Sequence, residues 1–380
     1  MIKPLSPSLP DPQWDVHAPG RVNLLGEHVD YNDGIVLPAA IDRYVHLQAV
    51  ETRQSRIELT ALDLGKSIIF DLENLQPQAL PDWARYPAGV AWAALQRGLP
   101  VSGIRAVYTS SVPIGAGLSS SAAVEVAFGA LWNDLSGWGL NRLELAQLCQ
   151  QAENRFVGVN CGLMDQFASA CGVKDHALMF DTRSLAYQPV PLPAGTAVVI
   201  ADSGMRRTLA NSAYNQRRAD CEEAVRLLRA YLPGSIRSLR DVGIDDFNRY
   251  SHHLPEQVRR HARHVVEEIA RVEKAVDLLK QGDGAAFGQL MVEGHASLRD
   301  LYQVSIPELD ALVEIASRLP GFLGARLTGA GFGGCTVNLV EEESAQIFAQ
   351  RLAQEYTLHT GKTGEIYLCH ASEGVSVQTG

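Results

Sequence analysis

The run VPIGAGLSSSAAVEVAFGALW, Val112 to Trp132, constrains the fold more than any other stretch of the chain. It must hold a strand end, a glycine-rich loop and a helix in direct succession. Upstream, GIRAVYTSSV alternates as a strand does. Downstream, the residues from Ala122 onward are good helix formers, and serine suits a helix N-cap. Gly115 and Gly117 allow tight turns and close approach of a ligand to the main chain. Free N–H groups at the start of such a helix make an anion site. An ordinary capped turn fits the same letters, so this stretch alone leaves both readings open.

A second glycine motif, GAGFGG at 329–334, matches G-x-G-x-x-G. The dinucleotide fingerprint needs a helix directly after it, whereas CTVNLV alternates like a strand. The segment reads as strand-loop-strand. The first loop lacks the GK[ST] ending of a Walker A sequence. An anion loop with neither signature calls for another phosphate-cradling family.

The surrounding pattern mixes helices and strands without a regular βαβ beat, which points to α+β in two lobes. Helices are expected over 85–98, 122–136, 141–158, 212–232, 255–283 and 342–355, and strands over 196–203, 324–340 and 364–371. Asn32-Asp33-Gly34 reads as a hairpin turn between NLLGEHVDY and IVLPAAI. In the long helix after Pro255, Val258, Val265, Ile269, Val272 and Val276 form the core stripe, and His261 and His264 are assigned to a solvated face. PLPAG at 191–195 is a plausible junction between lobes 1–195 and 196–380, fitting the two-domain prior for 380 residues.

Charge and composition narrow the function. Lys and Arg number 33 against 43 Asp and Glu, a formal charge of −10, which disfavours a nucleic-acid binder needing a broad basic face. No run approaches the roughly 18 apolar residues of a membrane span, and MIKPLSPSLPDPQWD lacks the apolar middle of a signal peptide, so a cytoplasmic protein is expected. The six cysteines form no CxxC pair and read as buried free thiols. The histidines form no HExxH, and no structural metal is indicated.

Chemistry concentrates in two acidic segments. GRVNLLGEHVDY sets Arg21, Asn23 and Leu25 on one strand face, with Glu27, His28 and Asp30 in the turn that follows. A solvated hairpin could carry the same charges. AENRFVGVNCGLMDQFAS holds Glu153 and Asp165, and apolar Leu163, Met164 and Phe167 crowd Asp165. A carboxylate so placed must be paired or hydrogen-bonded, and Arg21 is a candidate partner.

PGRVNLLGEHVDYNDG (19–34), PIGAGLSSSAA (113–123) and LTGAGFGGC (327–335) together resemble the three motifs of the GHMP small-molecule kinases. The GEH-x-D-Y core resembles the galactokinase signature in particular, as do AENRFVGVNCGLMDQ, GHASLRDLYQVSIPELD and YLCHASEG. The resemblance runs from about residue 15 to 375. The signature more commonly has Thr at Val29 and Ile at Leu25, and neither change removes a charged group.

The resemblance implies a ribosomal-protein-S5-like N-terminal lobe and a ferredoxin-like C-terminal lobe with the active site between them, the final strand returning to the first lobe. It implies ATP as co-substrate, its phosphates wrapped by Gly115, Ala116, Gly117, Leu118, Ser119, Ser120 and Ser121. Ser121 and Glu153 are implied to hold Mg²⁺, an oxygen-preferring cation. Glu27, His28, Val29, Asp30, Gly162, Asp165 and Tyr214 are implied to bind the sugar, with Asp165 as base and Arg21 stabilising the transition state. Gly329, Gly331, Gly333 and Gly334 are implied to approach the substrates from the other lobe. The expected partners are small molecules, with no nucleic acid, no membrane and a monomeric state. Kinases for N-acetylgalactosamine, arabinose or glucuronate share the sugar segment and stay open as alternatives. So does a non-catalytic sensor of galactose and ATP, although a sensor has no physical need for the base.

Overall fold

The computed structural model describes residues 9, 11–113, 115–206, 210–232 and 234–380. Most of the segment read above for a signal peptide lies outside the described residues. The chain opens with β1 (Trp14–Asn23), β2 (Ile35–Val36) and β3 (Pro38–Glu51). β1 and β3 pair antiparallel, but the link between them is a wide loop rather than a tight hairpin at Asn32–Gly34. The turn closes inside that loop: Asp33 takes a left-handed φ of 59° and the Gly34 N–H donates to the Val29 carbonyl at 2.8 Å. β2 is thereby freed to pair elsewhere.

Register slips between Pro19 and Arg21, so β1 carries a bulge at Gly20. A Cβ at Gly20 would stand 2.8 Å from the Leu118 carbonyl oxygen, and that oxygen accepts the Arg21 N–H at 3.1 Å. The bulge thus brings the first glycine-rich loop against β1 and re-aims Arg21.

β4 (Arg56–Ala61), β5 (Lys66–Asp71), α1 (Asp82–Gln96) and β6 (Ile104–Ser110) follow. After them come α2 (Ser120–Leu135), α3 (Arg142–Ala152), α4 (Met164–Cys171), β7 (His176–Asp181) and β8 (Tyr187–Pro191). A capping box between Asn141 and Glu144 starts α3. The helix expected to reach residue 158 changes at Glu153 into a π-helical turn, Glu153–Val157, which Gly158 ends with a φ of 92°. Such turns displace side chains from the helical stripe.

The second half contains β9 (Thr196–Asp202), α5 (Ala210–Leu228), α6 (Ile244–Tyr250), α7 (Glu256–Lys280), α8 (Gly284–Asp300) and α9 (Pro307–Ala316). It closes with β10 (Phe322–Thr328), β11 (Cys335–Glu341), α10 (Ala345–Thr360), β12 (Ile366–Cys369) and β13 (Ser376–Thr379). Among the described residues three sheets result, ordered β13-β1-β3-β6-β4-β5, β10-β11-β9-β12 and β2-β7-β8. The strands of the first and third precede residue 196, except β13, which follows the strand expected to close the chain and pairs with β1.

β9 shows why the second sheet is covered on both faces. Val198 and Ile200 pack with Val272 and Met291, whereas Ala197, Val199 and Ala201 pack with Leu312 and Phe348. Leu24 and Leu25 join the former cluster, so the loop that follows β1 is anchored in the core of the opposite lobe.

His261 and His264, read as solvated, are fully buried. His261 Nδ1 lies 2.8 Å from Asp220 Oδ2, and His264 Nδ1 lies 2.8 Å from Ser297 Oγ. Each partner satisfies a ring nitrogen that burial strips of water. Cys161 is not buried among apolar groups but partly buried beside polar ones, its thiol donating to Glu153 Oε2 at 3.1 Å.

Candidate active site

Between the lobes lies a cleft of about 750 Å³. Arg21, Glu27, His28 and Asp30 line it from the β1–β2 side, Gly115, Gly117 and Ser119 to Ser121 from the α2 side, and Glu153, Gly162 and Asp165 from the α3–α4 side. Tyr214 and Gly329 complete it from the other lobe. Val29, Gly331, Gly333 and Gly334 do not reach the cleft. Val29 is fully buried in the core. A Cβ on Gly331 would stand 2.3 Å from the Val304 carbonyl oxygen, and one on Gly333 2.7 Å from that of Met205. These glycines serve close backbone packing behind the site. The side chains of Ala116 and Leu118 also turn into the core.

Asp165 sits in the first turn of α4 with both oxygens engaged. Oδ1 accepts from Arg21 Nε at 2.9 Å and lies 2.8 Å from Nη2, while Oδ2 accepts from Ser119 Oγ at 2.5 Å. The third Arg21 nitrogen, Nη1, donates to the Gly117 carbonyl at 2.6 Å. Arg21 is 4% exposed, yet the Asp165 side chain keeps 28% exposure towards the cleft. One arginine therefore joins the carboxylate to the glycine-rich loop.

Ser119 stands at the N-cap of α2, but its φ is 59° and its hydroxyl makes no capping bond. The hydroxyl that an N-cap would use on the helix goes to Asp165 instead. The positive end of α2 is left facing the cleft, the geometry of an anion site.

Beside it, Ser121 and Glu153 line the same wall of the cleft. Gln166 Nε2 uses both amide protons, donating to Glu153 Oε2 at 2.6 Å and to Glu125 Oε2 at 2.9 Å. Burial holds Glu153 above the usual carboxylate range, with the Asp165 charge adding to the shift. Glu153 opens the π turn that follows α3.

Asp30 and Gly162 meet so closely that a Cβ on Gly162 would overlap Asp30 Oδ2 at 1.8 Å. Burial pushes the Asp30 carboxyl up to about 6, with the nearby Asp165 charge adding and Arg21 opposing. His28 lies 3.2 Å through Nε2 from the Ala330 carbonyl and 2.8 Å through Nδ1 from the Tyr31 hydroxyl. A carbonyl only accepts, so Nε2 carries a proton, and in the neutral ring Nδ1 accepts from the Tyr31 hydroxyl. Tyr31 in turn bonds Tyr302 at 2.7 Å. His28 thus ties the loop after β1 to the third glycine motif across the cleft. Tyr214 packs its ring against both His28 and Tyr31, with centroids 5.5 Å away in each case.

Glu27 lines the cleft but is buried and paired within the protein. It is 1% exposed, and its Oε2 lies 2.7 Å from Arg326 Nη2. Arg326, fully buried on β10, also pairs with Glu268 Oε1 at 2.7 Å, and Glu268 pairs with Arg271. Sequence reasoning missed Arg326, although an arginine inside a run of buried strand residues signals a buried partner. It also missed Arg206, which lines the cleft, contacts both Asp202 oxygens at 2.9 Å and brings its Cδ within 3.3 Å of a Cβ placed on Gly115. The signal there was a cation three residues after the buried strand TAVVIADS.

Residues 10–49 match the galactokinase galactose-binding signature, 85–173 the GHMP kinases N terminal domain and 275–358 the GHMP kinases C terminal domain. A galactokinase of Roseiflexus sp. (strain RS-1) is 50% identical over 364 residues, covering 96% of this chain and 93% of that protein. A galactokinase of Chloroflexus aggregans (strain MD-66 / DSM 9485) is 48% identical over 94% of this chain and 92% of its own. The crystal structure of Lactococcus lactis galactokinase complexed with galactose superposes with a TM-score of 0.89 at 34% identity, covering 95% of this chain and 94% of that one. A mevalonate kinase at 21% identity and a TM-score of 0.67 shares the fold alone. Motifs, sequence relatives and architecture agree: the chain belongs to the galactokinase family of GHMP kinases, a family of sugar kinases.

Proposed function

We propose that this chain transfers the γ-phosphoryl group of ATP to the anomeric 1-hydroxyl of D-galactose, giving α-D-galactose 1-phosphate and ADP. The observation that carries the reading is Asp165, gripped through both oxygens yet open to the cleft, within the reach of one arginine from the anion loop. The sugar oxygen attacks the γ-phosphorus, the bond from that phosphorus to the β-bridging oxygen breaks, and the hydroxyl proton passes to Asp165. A carboxylate is too weak a base to ionise a sugar hydroxyl beforehand, so the proton moves late, as the oxygen bonds to a loose, metaphosphate-like group. Arg21 orients Asp165 and neutralises charge on the transferring group. Positioning and electrostatics supply most of the rate.

The loop from Gly115 to Ser121 and the start of α2 receive the ATP phosphates. Ser121 and Glu153 pair a hydroxyl with a carboxylate at the cleft wall, an all-oxygen donor set that fits Mg²⁺. The bound ion supplies charge neutralisation on the phosphate oxygens. Asp30, Gly162 and Tyr214 shape the sugar side, and the Asp30 carboxylate accepts from sugar hydroxyls. ADP release should be measured with MgATP and galactose, glucose, galactosamine, N-acetylgalactosamine, arabinose, glucuronate and mevalonate in turn. Turnover largely confined to galactose is expected; preference for another sugar would overturn the substrate assignment, and saturable binding without turnover would overturn the reaction.

Two smaller effects are expected in the same assay. Arg206→Ala should raise the KM for ATP about tenfold, the size of one charge-assisted contact, and leave the KM for galactose unchanged. An equal rise in both would remove Arg206 from the phosphate end. The pH dependence follows from Asp30, whose carboxyl is pushed up to about 6. Its charged, hydrogen-bond-accepting form is lost as pH falls through that value, so kcat/KM for galactose should fall below about pH 6. Asp30→Asn should flatten that limb of the profile. A profile that descends unchanged in the variant would assign the titration to another group.

A further inference from the structure

Behind the cleft wall, one buried glutamine joins two acidic side chains that come from different elements. Gln166 follows Asp165 in the first turn of α4, and the helical step of about 100° turns the two side chains towards different neighbours. Asp165 meets Arg21 and Ser119. Gln166 is fully buried and donates from Nε2 to Glu153 Oε2 at 2.6 Å and to Glu125 Oε2 at 2.9 Å. The Cys161 thiol donates to the same Glu153 oxygen at 3.1 Å. Glu125, also without exposure, stands one helical turn after Ser121 on α2. Three elements thus meet behind the wall that Ser121 and Glu153 line. Gln166 Oε1 has no partner among the described residues, so its two carboxyl acceptors alone set the direction of the amide. Burying a carboxyl is costly, and apolar side chains would fill the same space at lower cost. Packing alone therefore gives no reason for Glu125.

We propose that Gln166 is the positioning residue for Glu153, with Glu125 holding the glutamine amide in place, so that the Glu153 carboxylate meets a divalent cation in one fixed orientation. The inference rests on the reading that Ser121 and Glu153 hold Mg²⁺. The bonds from Gln166 and Cys161 both end on Oε2, which assigns the other oxygen, Oε1, to the cation. Glu153 has reason to need a brace, because it opens a π turn rather than standing inside a regular helix. A ligating carboxylate is oriented by the hydrogen bonds it accepts, and losing such an outer partner weakens metal binding about 10–100-fold. An amide suits the task because it donates without carrying charge. Lysine or arginine in its place would neutralise Glu153 and compete with the cation. Gln166 also neighbours Asp165 in sequence, so one turn of α4 fixes both the proton acceptor and the orientation of the cation's carboxylate.

The test reads cation binding directly. Mn²⁺ is titrated into the full chain held in excess over ADP, and the electron paramagnetic resonance signal of free Mn²⁺ gives the affinity. Gln166→Met keeps the side-chain length but cannot donate. It should lower the Mn²⁺ affinity about tenfold, leave galactose affinity unchanged, and lose kcat that returns as free Mg²⁺ is raised. Glu153→Gln, measured alongside, should lower the Mn²⁺ affinity at least as much. Unchanged affinity in Glu153→Gln would overturn the metal assignment and the inference with it. A fall in Glu153→Gln with none in Gln166→Met would overturn the inference alone. A loss in Gln166→Met that Mg²⁺ does not restore, with galactose binding weakened equally, would make Gln166 a packing residue and overturn its positioning role. Should Gln166→Met fail to fold, Glu125 gives the same comparison from the other end. Glu125→Gln keeps an acceptor for the Gln166 amide and should retain the Mn²⁺ affinity, whereas Glu125→Met should lower it. Equal affinity in those two variants would overturn the proposal.

Discussion

Asp165→Asn is expected to lower kcat by about 10³-fold, within the range that general-base removal produces, with little change in fold or in galactose binding. The geometry makes asparagine a clean replacement. Arginine donates only, so the amide oxygen must take the Oδ1 place, where it receives Arg21 Nε at 2.9 Å. The amide nitrogen then faces Ser119, whose hydroxyl donates to Asp165 at 2.5 Å and can rotate to accept instead. Every partner stays satisfied, and what disappears is the capacity to take a proton. Arg21, 4% exposed, loses its counter-charge, which should appear as a modest fall in melting temperature. Steady-state ADP release, galactose calorimetry and thermal unfolding separate these effects. If Asp165→Asn keeps kcat within tenfold of the parent, the proton leaves by another route and Arg21 with the helix end carries the rate.

The parts of this site that could be read in the sequence are those whose physics is local. A strand, two glycines and an alanine-rich helix start lie within twenty-one residues, and the strand-loop-helix they imply is the one observed. Long-range consequences were harder to see. Asn32-Asp33-Gly34 signals a turn correctly, but only the pairing of β2 with β7 decides that it closes within a loop. In α7, His261, His264 and Glu268 follow the same three- and four-residue spacing as Val258, Val265, Ile269 and Val272, and all seven are buried. Periodicity that counts only apolar letters sends the polar three to solvent. Their partners Asp220, Ser297 and Arg326 lie on other elements and satisfy them across tens of residues. Hydrogen-bond satisfaction, rather than hydropathy, decided those positions.

The other large effect concerns stability. Arg326→Met should destabilise the protein by about 3–5 kcal/mol, the usual result of removing one partner from a buried ion pair. Arg326 is the shared partner of Glu27 and Glu268, contacting each at 2.7 Å with no exposure of its own. The two carboxylates are unequal. Glu268 also has Arg271 and the Gly26 N–H at 2.8 Å, and although burial works against ionisation, these partners hold its carboxyl down to about 2. Burial pushes Glu27 up to about 7, since Arg326 only partly offsets the desolvation and Glu268 adds repulsion. Between pH 5 and 7 the folded chain therefore keeps a proton on Glu27 that the unfolded chain has released, and stability falls as pH rises. Glu27→Gln should remove that slope and shift stability at pH 5 little, because it replaces a neutral carboxyl with a neutral amide. Urea unfolding of parent, Arg326→Met and Glu27→Gln at pH 5 and 7 would read all three effects. A slope that survives Glu27→Gln would mean Glu27 is ionised throughout, leaving Arg326 balanced against two full charges. A small loss in Arg326→Met would mean that water reaches the cluster from the cleft and solvates Glu27. In that case Glu27 would be available to a sugar hydroxyl after all, and the galactose KM of Glu27→Gln would rise with it.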